Sequence, residues 1–257
     1  MHVAKVKYLE KPRLKNPILI EGLPGIGNVG RVAVSYLITE LKAKKFAELY
    51  SPYFLPLVII QENSVVHLLK CEFYYKRGKK DMIFLVGDSQ SLTPHGHYEI
   101  CGEIIKLAKS FGVKEIITLG GYAVEELPEK PKVIGAVNKE NLKKKYEKYK
   151  IDFSRKHKVG TIVGASGLLL GLGKSEGMDG LCLMGETMSF PIITDPKAAE
   201  AVLEVLTDIL KIKVDMTKIE RASKEMEKFI EKTEKLHRSI LKQLQSPKRK
   251  TSPPYIG

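Results

Sequence analysis

The chain has 257 residues, of which 43% are hydrophobic and 28% charged, and its formal net charge is +13. We expect one large α/β domain with an appendage, because this length can bury a core that folds unaided. No window reaches the roughly 18 uninterrupted apolar residues of a membrane-spanning helix, so the composition excludes one.

The N-terminus and the cysteines indicate the compartment. Residues 1–5 lack the apolar core of a secretory signal. Cys71, Cys101 and Cys182 are few, odd in number and widely spaced. This pattern favours buried thiols in a reducing compartment over a disulfide framework or a zinc site. We therefore expect a cytoplasmic protein with no membrane partner.

The positive charge raises the hypothesis of nucleic-acid binding, because clustered lysine and arginine displace counterions from phosphates. Much of the excess lies in the lysine-rich stretch 139–150, where Glu140 and Glu147 interrupt it, and in the tail at 248–250. Lysine predominates over arginine and few aromatic residues accompany these runs, so base stacking has little support. Nucleic acid is not an expected partner and stays a second alternative.

The first predicted unit is a strand, a glycine turn and a helix. The apolar run at 18–20 precedes the turn, and residues 32–38 continue it as a helix. Gly25, Gly27 and Gly30 satisfy the G-x-G-x-x-G pattern, and a helix N-terminus there offers N–H groups to a phosphate. Glycine is also needed wherever a chain turns sharply and a helix packs closely on a sheet, with no ligand involved.

The flanking sequence favours this architectural interpretation. Pro24 stiffens the turn just before Gly25. Residues 46–52 predict only a poor second strand. Glu48 lies near the separation expected of a ribose-binding acid, but Pro52 soon interrupts the pattern.

The rest of the domain alternates between predicted strands and helices. Strands are predicted at 57–60, 65–69, 71–75, 82–88, 115–119, 132–137, 161–164 and 180–187. Helices are predicted from about 97 to 111, around 168–172, and from Asp195-Pro196 to Leu210, with Asp195 as the N-cap. This order predicts an α/β fold with a mainly parallel sheet and helices on both faces.

The C-terminal part differs from the rest. From 216 to 245 the chain is highly charged, and its apolar residues recur at intervals of three and four. This predicts one long amphipathic helix, either an extended coiled-coil arm or a helix folded back onto the domain. The predicted division is therefore an α/β domain at 1–212, a long helix at 213–245 and a flexible basic tail at 246–257.

A second candidate ligand site follows the apolar run at 82–87. Asp88, His95 and His97 come after this run, at a strand's carboxyl end, where α/β proteins bind ligands. The two histidines with Glu99 or Cys101 do not have the spacing of a metal site, so no metal is expected.

The glycine turn and these polar residues together define the alternative function, an enzyme that binds a nucleotide or nucleoside-like ligand. Residues 164–167 resemble a nucleophile elbow only loosely, because G-x-S-x-G would need a further glycine at Leu168. A serine hydrolase is therefore not expected.

Several motifs in a fixed order resemble the archaeal proteasome-assembly-chaperone family. They are Gly22–Gly30, Gly87–Gln90 with Gly96–Glu99, Leu119–Tyr122, Gly164–Gly171, and Gly185–Thr187 followed by Asp195–Ala199. The resemblance covers roughly residues 15–210, and the order of the motifs makes it specific.

This resemblance implies a nucleoside-phosphorylase-like fold used for protein binding, with neither catalysis nor a cofactor. It implies homo-oligomers, or assemblies with related chaperone paralogues, that bind the α subunits of the 20S proteasome independently of ATP. Binding in the family uses a C-terminal hydrophobic-tyrosine-any motif whose terminal carboxylate pairs with a lysine. Here Pro254 and Tyr255 match the motif, but Ile256 and Gly257 follow the tyrosine, which places the carboxylate one residue farther out.

The tail also has the chemistry of a short recognition peptide. An aromatic anchor with a free carboxylate follows two prolines, which limit the entropy lost on binding. The basic stretch before them would be attracted to an acidic rim around the binding site of a partner. Several copies in a ring would gain avidity.

Overall fold

The computed structural model describes residues 3–125, 128–154, 160–188 and 194–225. Its strands are β1 (Lys5–Tyr8), β2 (Ile18–Gly22), β3 (Lys44–Tyr50), β4 (Val58–Ile60), β5 (Val66–Leu68), β6 (Cys71–Lys76), β7 (Met82–Gly87), β8 (Glu115–Val124), β9 (Val133–Val137), β10 (Ile151–Asp152) and β11 (Asp179–Met188). Its helices are α1 (Val29–Glu40), α2 (Pro94–Ser110), α3 (Leu142–Tyr146), α4 (Ala165–Ser175) and α5 (Pro196–Leu210).

Nine of these strands form one mixed sheet in the order β1-β3-β6-β7-β2-β8-β11-β9-β10. The four central strands β7, β2, β8 and β11 are parallel to one another. The strands β1, β3 and β6 on one side, and β9 on the other, are antiparallel to their inner neighbours. The predicted α/β class is confirmed, and its parallel part is the centre of the sheet.

Helices cover both faces of the sheet, as predicted. Successive side chains of a strand point to opposite faces, and the apolar residues of β2 divide in this way. Ile18 and Ile20 belong to the core under α1 and α5, whereas Leu19 belongs to the core under α2 and α4. A strand buried on both sides needs the continuous apolar run that the sequence shows at 18–20.

An ion-pair network stabilises the antiparallel side of the sheet. Glu48 of β3 accepts hydrogen bonds from Lys70 Nζ at 2.6 Å and from the Tyr50 hydroxyl at 2.9 Å. Lys45 Nζ lies 3.3 Å from Glu48 and 2.9 Å from Glu72. Burial raises the pKa of Glu48, but these donors outweigh it and lower the pKa to about 2. The carboxylate therefore remains ionised inside the sheet.

Two strand predictions need correction. Residues 161–164 are not a strand: Val163 is 87% exposed, and the backbone of Ile162 passes against Gly167 of α4. A short apolar run cannot by itself distinguish a strand from a loop that packs on a helix. The predicted poor strand at 46–52 is instead the seven-residue β3, which ends before Pro52.

The first turns of the predicted C-terminal helix are folded back onto the domain. Residues 217–225 are helical, and the side chain of Ile219 joins the core beside α1. The Tyr36 hydroxyl donates to the carbonyl of Asp215 at 2.7 Å, and Lys218 pairs with Glu40 at 2.7 Å. The remainder of the predicted helix and the tail lie outside the described residues, so their boundaries stay a prediction.

The three cysteines are free and buried, which confirms that prediction. Burial raises the pKa values of Cys101 and Cys182 to about 12, so these thiols are not reactive thiolates. Among the described residues, no helix combines the length and the apolar character needed to cross a bilayer.

Candidate functional site

The glycine turn lies at the carboxyl end of β2, where α1 approaches the sheet at backbone contact. A Cβ atom on Gly30 would lie 2.2 Å from the carbonyl oxygen of Leu119 in β8. A Cβ atom on Gly22 would lie 2.2 Å from the carbonyl oxygen of Gly30. A side chain does not fit at these distances. Glycine is therefore required at Gly30 so that α1 can pack closely on the sheet.

The middle of the turn is fixed by β11 and by the start of α5. Gly27 has a positive φ of 61°, and its carbonyl oxygen accepts a hydrogen bond from Asp195 N at 2.8 Å. A Cβ atom on Gly27 would lie 2.6 Å from Thr187 Oγ1, which donates to Asp195 Oδ2 at 2.6 Å. Gly25 differs, because a Cβ atom there would have no neighbouring atom within 4 Å and its φ of −162° is extended.

Gln90 bridges the glycine turn and α4. Its Nε2 donates to the carbonyl oxygen of Pro24 at 2.6 Å, and its Oε1 accepts from Ala165 N at 2.9 Å. Gly164 has a φ of 86°, and a Cβ there would lie 2.7 Å from Gln90 Oε1. The side-chain amide of Gln90 thus binds the first N–H of α4. An anion in a phosphate site would use an N–H group of this kind.

A buried carboxyl group lies directly beneath this bridge. Glu21 has no exposed surface; it accepts hydrogen bonds from Leu23 N at 2.8 Å and from Ser166 Oγ at 3.1 Å. The Thr118 hydroxyl donates to the carbonyl of Ser166 at 3.1 Å. Burial raises the pKa of Glu21 to about 7, and the two hydrogen bonds only partly oppose it.

We predict that this carboxyl makes the fold less stable at and above neutral pH than at pH 4.5. The pKa of Glu21 is raised above its usual value of 4.5, so its contribution is complete below pH 4.5 and is lost as the pH rises through about 7. At 1.36 kcal/mol per pKa unit, the loss approaches about 3 kcal/mol. Glu21→Gln keeps the shape without the charge, and it should be more stable than the wild type at pH 8.

Urea denaturation at pH 4.5 and pH 8 measures this difference. Glu129→Gln, at an exposed carboxylate, serves as the control and should shift neither midpoint. A Glu21→Gln variant whose stability relative to the wild type is the same at both pH values would contradict the prediction.

Asp88 is held by protein groups. Its Oδ2 lies 2.7 Å from His67 Nε2 and accepts from Lys70 N at 3.1 Å, while its Oδ1 lies 3.9 Å from Arg31. These contacts join the end of β7 to β5 and to α1. Asp88 therefore fixes the base of the β4–β5 hairpin, a role that the sequence did not indicate.

The two candidate histidines lie in the first turns of α2. Thr93 caps this helix by accepting from Gly96 N at 3.1 Å. The side chain of His95 is 76% exposed and lies edge-on to Tyr53, while His97 is half-buried. Within the described ranges no three His, Cys, Asp or Glu side chains converge as a metal site would require.

The structure does not gather the six candidate ligand residues Gly25, Gly27, Gly30, Asp88, His95 and His97 around its large groove. This groove, with a volume of about 1170 Å³, lies between β9 and α4 and is lined by other residues. The candidate proteasome-binding residues Pro254, Tyr255, Ile256 and Gly257 lie outside the described residues.

Sequence reasoning missed Glu21, Gln90 and His67. Glu21 carried a usable signal, because a single acid at the end of the apolar run at 18–20 is unusual in a strand buried on both faces. The partners of Gln90 and His67 are distant in sequence, and no local pattern points to them.

Comparison with known proteins gives a consistent result. Residues 19–234 match the PAC2 family. The fold is similar to the crystal structure of Pyrococcus furiosus PbaB, an archaeal proteasome activator, with 44% identity, a TM-score of 0.86, and coverage of 91% of this chain and 100% of that one.

Two further relatives agree with this assignment. Pyrococcus furiosus PbaA, an archaeal homolog of proteasome-assembly chaperone, is 27% identical with a TM-score of 0.74, and the match covers 93% of this chain and 96% of that one. The uncharacterized protein MJ1210 of Methanocaldococcus jannaschii is 41% identical over 254 residues, which are 98% of this chain and 96% of the relative. The predicted resemblance is confirmed, and the chain belongs to the PAC2 family.

Proposed function

We propose that this protein binds the 20S proteasome, as an assembly chaperone or an ATP-independent activator, and that it is not an enzyme. The observation that carries the proposal is the 44% identity to PbaB, an archaeal proteasome activator, over 91% of this chain. Identity at this level across a whole fold makes a shared binding function the simplest expectation. The proposal includes homo-oligomers, a cytoplasmic location, no cofactor and a fold that resembles that of nucleoside phosphorylases.

The geometry of the glycine turn supports a binding role over the alternative, an enzyme with a nucleotide or nucleoside-like ligand. Gly27 and Gly30 are in close contact with Thr187 and Leu119, and Gln90 occupies the first N–H of α4. The first N–H of α4 is therefore bonded to protein, and the close packing at Gly27 and Gly30 accounts for these glycines without a ligand. Nucleotide, dinucleotide or phosphate at one hundred times its dissociation constant would add about 2.7 kcal/mol of stability, so a thermal-shift screen distinguishes the two functions.

The proposed contact with the proteasome α subunits is the tail Pro254, Tyr255, Ile256 and Gly257. Tyrosine is a strong anchor because it buries a large ring at low entropic cost and keeps a hydroxyl for hydrogen bonding. Prolines before it restrict the unbound tail, so less conformational entropy is lost on binding.

Capture of archaeal 20S proteasome by the full chain and by a chain ending at Ser252 tests the proposal. We expect the full chain to bind and the shortened chain to fail. A full-length variant with residues 253–257 in reversed order is the matched control for length and composition, and it should also fail. Equal capture by the full and shortened chains would contradict a role of the tail in binding. Failure of all three chains to capture the proteasome would contradict the proposed function.

A further inference from the structure

The β4–β5 hairpin is an unusually apolar element on the surface of this protein. Apolar residues of the hairpin and of the segment that leads into it are between 38% and 73% exposed, and they are Leu55, Leu57, Val58, Ile59, Ile60, Val65, Val66 and Leu68. Single exposed apolar residues are normal on a monomer, but these eight are concentrated within residues 55–68. Such a patch marks an interaction surface.

The hairpin is apolar on both of its faces. Ile60 pairs with Val66 across the two strands, and Ile59 pairs with His67. Neighbouring residues of a strand point to opposite faces, yet Ile59 is 45% exposed and Ile60 is 73% exposed. Within the described part of the chain, neither outer edge of this two-stranded sheet pairs with a further strand. An isolated hairpin of this kind is marginal in water and is stabilised when a partner covers it.

The base of the hairpin is nevertheless firmly attached. Phe54 and Leu69, on either side of it, are 7% and 4% exposed, and Asp88 contacts both His67 and Lys70. The apolar surface is therefore held in place by the main sheet, which lowers the entropy lost when a partner binds.

The charge of the hairpin segment favours a second copy of this chain as its partner. Residues 53–69 contain no lysine or arginine and one acid, Glu62, in a chain with 43 lysine and arginine residues. Two copies of a chain with a net charge of +13 repel each other wherever their basic surfaces meet. A segment free of basic residues is thus a part of the surface where two copies meet with little repulsion. An acidic partner would instead select lysine or arginine there.

We infer that the β4–β5 hairpin is the surface through which this protein self-associates, with a second copy covering its apolar faces. A standard interface buries roughly 800 Å² on each partner, and the exposed apolar residues at 55–68 would supply its apolar centre. This inference rests on the homo-oligomer included in the proposed function, and it adds where the copies meet.

The test compares the molar mass of the full chain in solution with that of Ile60→Ser/Val66→Ser, by light scattering after size exclusion. Ile60 and Val66 are paired across the hairpin and are exposed, so their replacement leaves the buried core intact. We expect the wild type to have a multiple of the 28.8 kDa chain mass, and the variant to form a smaller species. At the same protein concentration, the dissociated fraction of the variant should be at least tenfold larger than that of the wild type.

Val3→Ser/Val163→Ser is the matched control, because these valines are 61% and 87% exposed and lie outside the hairpin. It should keep the wild-type mass, and circular dichroism should show that both variants fold. A monomeric wild type, or a hairpin variant with the wild-type mass, would overturn the inference. If that variant keeps its mass and loses proteasome capture, the hairpin binds the proteasome instead, which also overturns it.

The chain ending at Ser252 separates this inference from tail binding. It should keep the wild-type mass even though it fails to capture the proteasome. Failure of proteasome capture by the full chain would therefore contradict the proposed function and leave the mass measurement unaffected.

Discussion

Replacing Gly30 with alanine is expected to lower the free energy of unfolding by about 3 kcal/mol, enough to unfold a marginal domain. The added methyl group would lie 2.2 Å from the carbonyl oxygen of Leu119 and 2.8 Å from its carbonyl carbon. Both are backbone atoms of the central strand β8, so they cannot move aside as a flexible side chain can. The gain in helix propensity from glycine to alanine, about 1 kcal/mol, does not compensate. Urea denaturation followed by circular dichroism measures the loss.

Gly25→Ala is the matched control within the same motif. No atom lies within 4 Å of the position of its Cβ, and its backbone is extended, so we expect a change within about 0.5 kcal/mol. This contrast separates the two interpretations of the motif. A phosphate site would need both glycines for close approach of the ligand and would show its loss in binding rather than in stability. Equal stability of the two variants would contradict the architectural interpretation.

Local signals in the sequence predicted helix ends and buried strands well. Asp195 caps α5 by accepting from Ala198 N at 3.0 Å, with Pro196 at the first position, as predicted. The predicted start of α2 at residue 97 was three residues late, because Thr93 and Pro94 form the same cap-and-proline pair. Such signals act within one helical turn, so a single sequence contains them completely.

Errors arose where distant residues decide the structure. β3 carries Lys45 and Glu48, which weaken a strand pattern, but Lys70 and Glu72 on the neighbouring part of the sheet pair with them. The sequence gives no indication that these four residues meet. The run at 161–164 failed for the opposite reason, since its apolar residues predict a strand and no strand partner is available to it in the described sheet.

The candidate site likewise combines features that local sequence predicts with features that depend on distant residues. The need for glycine at Gly27 and Gly30 follows from a sharp turn into a helix, which the local pattern predicts. The local pattern does not predict that Gln90 bonds the first N–H of α4, because Gln90 and Ala165 are 75 residues apart in the chain. The bond between them makes an anion site unavailable at the start of α4, and only the fold places them together.

Replacing Tyr255 with alanine is expected to weaken binding to the 20S proteasome by thirtyfold or more. A buried aromatic anchor at the centre of an interface contributes about 2 kcal/mol or more when it is truncated. In the proposed homo-oligomer several tails would amplify the loss, because each weakened site also reduces the avidity of the others. Surface plasmon resonance on immobilised proteasome gives the dissociation constant. Tyr255→Phe is the control, and it should keep most of the affinity because the ring remains.

Deletion of Gly257 is expected to tighten the same interaction about tenfold. The deletion makes Tyr255 penultimate and leaves Pro254, Tyr255 and Ile256 as the last three residues, which is the order of the hydrophobic-tyrosine-any motif that the resemblance implies. A terminal carboxylate in that register can reach a pocket lysine, and a charge-assisted hydrogen bond contributes about 1.5 kcal/mol or more. Gly257→Ala keeps the length and should leave the affinity unchanged. A chain without Gly257 that binds no more tightly than the full chain would contradict pairing through the carboxylate, and then the ring of Tyr255 alone would have to account for the tail's contribution.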